Sequence, residues 1–320
     1  MRRIEPVSLA EIRAARERIR GAAIRTPMVR LNVEDAPGEI HLKLENLQPI
    51  GSFKVRGASN AMALGGAGAL AGGVYTASAG NMAQGVAYAA RARGLACRVV
   101  VPDNAPATKL SAVRRLGAET VEVPYDTWWR VIVEHAYPGM AGMFIHPVCD
   151  RGVIAGNGTI GLEILDDVPD VDTVIVPYGG GGLSCGIATA VKALRPSTKV
   201  LACEVETAAP LAAALAAGAP EAIDHTPSFV DGIGGKGVLD EMWPLVRGLI
   251  DASVVVSLRE VASAIKLLIE RNRVVAEGAG ATPVAAALSG DAGSGKIVCV
   301  VSGGNIDASK LVRILDGPVP

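Results

Sequence analysis

Lys54, in the stretch "IGSFKVRGAS" (50–59), stands between Phe53 and Val55, with Gly51 and Gly57 close by. A lysine in apolar company either lays its stem along a core edge or keeps a desolvated amine for chemistry. Three further stretches bear on that choice. In "TASAGNMAQG" (76–85), Ser78, Gly80 and Asn81 run straight into a helical pattern. Free N–H groups at a helix start favour an anion such as a carboxylate, although an ordinary N-cap with a glycine turn has the same look. In "VPYGGGGLSCG" (176–186), Gly179, Gly180, Gly181 and Gly182 are consecutive. Without Cβ atoms the backbone can wrap a phosphate and aim several N–H groups at it, whereas a simple turn needs only one or two glycines. In "VVSGGNID" (300–307), Ser302 offers a hydroxyl that meets a ring nitrogen or merely caps a turn.

The elements that position these loops alternate between short apolar strands and helical segments. Strands are expected at 40–47, 74–78, 97–102, 119–124, 143–147, 172–178, 199–205, 253–257 and 296–302. Helices are expected at the N-terminus, over "NMAQGVAYAARARG", "TKLSAVRRLG", the tryptophan pair, "NGTIGLEILDD" (157–167) and an Ala-rich stretch. Further ones should start at Leu183, run through "SLREVASAIKLLIERN" and begin near Glu277. Strands joined by helical crossovers form parallel sheets covered on both faces, and there are too many for one small sheet. The expectation is an α/β chain of two parallel-sheet, three-layer domains. Ligands in such sheets bind beyond the carboxyl ends of the strands, and the three loops above follow strands.

Composition narrows the function classes. Of 320 residues half are apolar, so a large core is expected, and 31 basic against 32 acidic side chains give no field favouring nucleic acid or an anionic membrane. The charged N-terminus reads as a helix rather than a signal, and no apolar run is long enough to span a membrane. Cys97, Cys149, Cys185, Cys203 and Cys299 lack metal spacing and read as small buried hydrophobes of a reducing, cytoplasmic compartment. Two motifs are decoys. The dinucleotide pattern GxGxxG fails in the glycine run. "GDAGSGKI" (290–297) has Ile297 where a P-loop needs Ser or Thr, and it precedes a strand instead of following one.

One cofactor accounts for the lysine, the phosphate cradle, the hydroxyl and the anion-binding helix start together. Pyridoxal 5′-phosphate bonds covalently to lysine, and the other three groups would hold its phosphate, its ring nitrogen and a substrate carboxylate. The chain resembles the fold-type II pyridoxal-phosphate enzymes (tryptophan synthase β-like), in the branch of threonine and serine dehydratases and serine racemase. "KLENLQPIGSFKVRGAS" is similar to the cofactor-lysine segment, "SAGNMAQG" to "SAGNHAQG", "GGGGL" to the phosphate loop, "SGGN" to the terminal serine segment and "VIAGNGTIGLEIL" to "VIAGQGTIALEI". The matches run in order from about residue 40 to 307.

The resemblance implies a large cofactor-binding domain of residues 1–71 and 150–320, a small mobile domain of 72–149, and a homodimer. With no regulatory domain after residue 307, the chain resembles the short, catabolic form. By the same carry-over, Lys54 holds the cofactor and then acts as the base at the α-carbon. Phe53 packs near the ring, Asn81 meets its 3′ oxygen, Gly179–Gly182 with Leu183 take the phosphate, and Ser302 faces the ring nitrogen. Ser78, Ala79, Gly80, Asn81 and Met82 meet a small amino-acid substrate. The implied reaction is loss of water from a β-hydroxy amino acid, giving a 2-oxo acid and ammonia. Racemase members carry a serine acid where this chain has Ala79, which favours the dehydratase over a racemase. "SAGN" also differs from the "TSGNTG" of the β-replacement synthases, and retention of the whole set argues against a non-catalytic binder.

Several departures bear on substrate and metal. Met82 replaces the family's usual histidine. Val148 and Cys149 stand where relatives line the pocket with polar or aromatic residues, and a glycine near 235 replaces a polar group. These point to a larger apolar substrate such as phenylserine. Trp128 and Trp129 are either one core and one surface residue or part of a pocket. Glu204 is kept, but Pro210 stands where a second carboxylate would complete a divalent-ion site, so no divalent metal is expected there, while a monovalent ion held by carbonyls stays open.

Overall fold

Valine- and isoleucine-rich runs become strands because both of their faces are covered. The computed structural model describes residues 3–317; residues 1, 2 and 318–320, the ends of the expected large domain, lie outside the described residues. The strands are β1 (Met28–Arg30), β2 (Glu39–Lys43), β3 (Val74–Ala77), β4 (Cys97–Pro102), β5 (Glu119–Val123), β6 (Met143–Phe144), β7 (Thr173–Pro177), β8 (Lys199–Val205), β9 (Ala252–Val256) and β10 (Lys296–Val300). They form a six-stranded sheet in the order β1-β2-β10-β7-β8-β9 and a four-stranded sheet in the order β5-β4-β3-β6. All pairings are parallel except β1 with β2.

Alternation along the strands divides the core. Val298, Val300, Val174 and Val176 point to one face of the larger sheet, under the helices Arg151–Asp167 and Gly182–Leu194. Ile297, Cys299 and Ile175 point to the other, under Leu258–Leu267 and Gly278–Leu288. The smaller sheet is covered likewise: Val99 and Val101 pack on one side with the helices Lys54–Leu64 and Asn81–Arg91, while Val100 and Val123 pack on the other with Tyr125–Glu134. The helix headed by Lys54 therefore serves the core of the smaller sheet, and it also packs against the helix 151–167.

That second contact explains a boundary the sequence misplaces. The helix begins at Arg151, capped by Asp150, whose side chain accepts the Val153 N–H at 3.0 Å; the glycine-rich start had pointed to 157. Gly156 is there for close approach, since a Cβ would lie 2.5 Å from the Arg56 carbonyl oxygen. β6 stops at Phe144 instead of 147. The chain turns there, with His146 Nδ1 accepting the N–H groups of Val148 and Cys149 at 3.0 and 2.7 Å, and Pro147 has no N–H for the ladder. The helix after Ser257 keeps its capping box with Glu260 but passes at Leu268–Asn272 into a π turn. β1 has only three residues and no alternation, and it was not foreseen. "GDAGSG" is a loop leading into β10, and Lys296 begins that strand, as expected for a decoy. The five cysteines are buried and free. Among the described residues no helix is long and apolar enough to cross a membrane.

Candidate active site

Lys54 opens its helix directly after a segment stitched to the end of β10. Gly51 takes φ +70°, Ser52 bridges to Gly303, and the Phe53 N–H donates to the Ser302 carbonyl at 3.0 Å. Two residues on, Arg56 anchors the helix from beneath. Its guanidinium donates to both oxygens of Glu45 (2.8 Å each) and to both of Glu163 (2.7 and 2.8 Å), while Lys43 Nζ lies 2.6 Å from Glu163. All four are buried, and two charges of each sign balance. Burial works against the Arg56 charge, yet Glu45 and Glu163 hold it ionised. The first helical turn is thus fixed from below, and Lys54 is presented upward into a cleft.

The Lys54 ammonium donates to the Pro147 carbonyl at 3.0 Å and lies 5.1 Å from the centroid of the Phe53 ring. Desolvation lowers its pKa to about 8, with the Glu277 carboxylate pulling the other way. A small shift in environment therefore sets how much free amine exists near neutral pH.

Beyond β7 the glycines form the opposite wall. Gly181 takes φ +96° and precedes the helix 182–194 without a side-chain cap, so the first-turn N–H groups have no intrahelical acceptor. A Cβ on Gly180 would lie 2.7 Å from Val148 Cγ2, and one on Gly182 2.9 Å from the Val148 carbonyl oxygen. An uncapped helix start, lined with backbone N–H groups and closed to side chains, fits a phosphate.

The loop after β3 supplies the third wall. Ser78 accepts the Gly80 N–H at 3.2 Å, and Gly80 caps the helix 81–91, again with no side-chain bond. The Asn81 amide is held at both ends: its Nδ2 donates to Glu277 Oε1 and its Oδ1 accepts from Asn305, each at 2.8 Å. Burial and the neighbouring Asp231 carboxylate push Glu277 up to about 7, against the Asn81 amide and the ammoniums of Lys109 and Lys54. Lys109, from the helix Ala107–Arg115, and Lys310 both reach Asp231, at 3.1 and 3.0 Å.

Phe53, Lys54, Ser78, Ala79, Gly80, Asn81, Met82, Gly179–Gly182, Leu183 and Ser302, the cofactor and substrate residues expected from the sequence, line one cleft of about 430 Å³. A wider groove of about 610 Å³ adjoins it but contains neither Lys54, the glycine loop nor Ser302. Three placements differ in detail. Met82, expected to face substrate, is 2% exposed and packs mainly into the core of the smaller sheet, meeting the cleft only from that side. Cys149 does not line the cleft; Val148 does. The loop after Phe229 contributes Asp231–Gly234 to the wall, with Ile233 its one bulky apolar side chain, while Gly235 lies outside. Trp128 lines the cleft and buries an indole N–H without a partner, whereas Trp129 is 43% exposed. Glu204 accepts the N–H groups of Leu211 and Ala212, at 2.8 Å each, at the start of the helix Pro210–Ala217, so its carboxylate is already used. Glu277, Asp231 and Asn305 were not foreseen. Only the position of Asn305, three residues past Ser302, carried any sequence signal.

Comparison with known proteins agrees with this geometry. The profile of the family described as "Pyridoxal-phosphate dependent enzyme" matches residues 19–303. The L-threonine ammonia-lyase of Thermotoga maritima is 40% identical over 97% of this chain and 78% of that protein. The catabolic L-threonine dehydratase of Escherichia coli K12 is 41% identical over 97% of this chain and 96% of its own length. Among solved structures, maize serine racemase superposes with a TM-score of 0.86 at 36% identity, covering 97% of both chains. The processed threonine deaminase isoform 2 of Solanum lycopersicum gives 0.88 at 32% identity, covering 98% of this chain and 90% of that one. With a lysine, an uncapped glycine-lined helix start and a serine facing one cleft, the chain belongs to the pyridoxal-phosphate dependent enzymes and is a lyase of that family.

Proposed function

We propose that the chain removes water from a β-hydroxy amino acid and releases the 2-oxo acid and ammonia. The observation that supports this most is the meeting in one cleft of an amine lowered to about 8, Lys54, with a neutral hydroxyl, Ser302, at the end of β10. Bound pyridoxal phosphate supplies a sink for the electron pair left when the α-proton departs. Lys54 would hold the cofactor, and its Nζ would take that proton. A lysine of depressed pKa suits this work near neutral pH. The N–H groups of Gly179–Gly182 and Leu183 hold the phosphate, and Phe53 flanks the ring. Asn81, its amide orientation fixed by Glu277 and Asn305, meets the 3′ oxygen. Ser78 and the free N–H groups at the start of the helix 81–91 hold the substrate carboxylate. Ser302 would face the ring nitrogen with a neutral hydroxyl, which unlike a carboxylate would not hold it protonated, and this favours loss of a β-leaving group. Ala79 has no proton to give, which favours elimination over racemisation.

Threonine, which the curated relatives are named for, is the reference substrate. The walls suggest a further preference: Val148, Ile233 and Trp128 place three bulky apolar side chains on the lining of the cleft. We read this as selection for a larger apolar β-substituent, such as that of phenylserine, over hydrogen or methyl. This account includes residues 72–149 moving as a small domain against 1–71 and 150–320, a homodimer, and a cytoplasmic setting. A panel of β-hydroxy amino acids in both diastereomers, assayed for oxo acid and ammonia, tests it. The reaction type predicts both products in equal amounts, and the substrate reading predicts a higher kcat/KM for phenylserine than for threonine. Equal or better turnover of threonine and serine would remove the substrate reading and leave the reaction type standing.

A further inference from the structure

Next to Val148 in the chain, and outside the lining of the cleft, four side chains of metal-ligating type converge. His135, His146, Cys149 and Glu241 each bring one donor atom to within 4.8 Å of all the others. They come from three places in the chain. His135 ends the helix Tyr125–Glu134 in the left-handed conformation (φ 59°), His146 and Cys149 follow β6, and Glu241 precedes the helix Trp243–Leu249. His146 and Cys149 are 2% and 4% exposed, and the side chains of His135 and Glu241 14% and 12%.

The hydrogen bonding inside the cluster is incomplete. His135 Nε2 and Glu241 Oε1 are 2.7 Å apart, and the Cys149 thiol stands beside the same carboxylate. The other carboxylate oxygen, Glu241 Oε2, is buried with no hydrogen-bond partner. A buried carboxylate oxygen left without a donor is costly, and a cation among these four groups would satisfy it. His146 is fixed more fully: Nδ1 accepts from Val148 and Cys149, Nε2 donates to the Ile132 carbonyl at 3.1 Å, and its ring lies 4.2 Å from that of His135. It completes the ligand set by releasing one of these bonds; otherwise it orients the Cys149 backbone.

We propose that His135, Cys149 and Glu241, together with His146, form a binding site for a zinc-type divalent cation that ties the four-stranded unit to the six-stranded one. One thiolate, imidazole nitrogen and a single carboxylate select a borderline-soft tetrahedral ion over magnesium or calcium. With bonds of about 2.0–2.3 Å, tetrahedral ligand atoms lie about 3.5 Å apart, so the cluster contracts modestly on loading. The ion would act as a brace and not as a reactant. Val148, between two of the ligands, closes over Gly180 and Gly182, and the Pro147 carbonyl receives Lys54. The site is distinct from the region of Glu204 and Pro210.

The test uses chelator-treated holoenzyme titrated with zinc alone, then with cobalt, whose ligand-field bands lie at longer wavelength than the cofactor absorption. The proposal predicts one equivalent bound per chain, tetrahedral cobalt bands with a thiolate charge-transfer component, and a rise in Tm with zinc. Cys149→Ser and Glu241→Gln, checked for folding by cofactor absorption and circular dichroism, should each lower zinc affinity at least tenfold and lose the Tm rise. Because the cobalt spectrum is read on the unmodified protein, the thiolate is tested even if a variant fails to fold. Less than one equivalent at excess zinc, cobalt bands without thiolate character, or undiminished binding in both folded variants would overturn it.

Discussion

Gly180→Ala places a methyl group where Val148 already stands. The new Cβ would lie 2.7 Å from Val148 Cγ2, 2.8 Å from Cγ1 and 3.3 Å from the Val148 Cβ. Valine is stiff about χ1, so relief requires the glycine loop or the 147–149 turn to move. Overpacking on this scale costs about 1–3 kcal/mol. In the account above the loop grips the cofactor phosphate, so the strain falls on the loaded protein while the empty loop relaxes. Cofactor affinity should therefore drop about 5- to 150-fold, at 1.4 kcal/mol per tenfold. Val148→Ala removes both clashing methyls, and the double variant should recover to within about threefold of wild type, the pair being in contact and hence coupled. Gly182→Ala is the control. Its methyl would meet the Val148 carbonyl oxygen at 2.9 Å, a backbone atom that Val148→Ala leaves in place. Titration of apoprotein with pyridoxal phosphate, followed by absorption, measures all four. Unchanged affinity in Gly180→Ala, or rescue of Gly182→Ala by Val148→Ala, would refute the reasoning.

Arg56→Ala leaves Glu45 and Glu163 buried with only Lys43 to balance them, and should cost about 3–5 kcal/mol in denaturant unfolding of the apoprotein. Glu277, pushed up to about 7, binds its proton more tightly folded than unfolded, so its contribution to stability is present at low pH and is lost as pH rises from 4.5 to 7. Glu277→Gln should flatten that slope, by up to about 3 kcal/mol across the window, in denaturation curves taken over that range. The same variant removes the charge that raises the Lys54 pKa, so the acid limb of the kcat profile, which reports the amine acting in the substrate complex, should move to lower pH. Trp128→Ala should lower the phenylserine-to-threonine ratio of kcat/KM about tenfold or more, since an apolar wall is lost.

Much of this architecture could be read in advance because parallel strands covered on both faces must be apolar runs, and "CRVVVP" and "KVLACEV" match β4 and β8 residue for residue. β1 escaped notice because a three-residue antiparallel edge strand leaves no periodicity to detect. The early start at Arg151 was hidden by glycines that serve helix–helix contact, which lower apparent helix propensity while enabling the packing. Lys54, the glycine run and Ser302 were visible because their chemistry is local. Glu277 was not, because its bond to Asn81 spans 196 residues and nothing near "AEGAG" distinguishes it from a surface carboxylate. The buried ionic cluster under Lys54 was hidden for the same reason: "KLEN" looks like a solvated strand end until the helix 151–167 brings Glu163 to it.

The most direct test of the central claim is to trap the bound cofactor by borohydride reduction and map the modified peptide by mass spectrometry. The account predicts one cofactor mass per chain, on Lys54 and nowhere else, and no trapped cofactor in Lys54→Ala. Cofactor found on another lysine, or the same yield of trapped cofactor in Lys54→Ala, would contradict it.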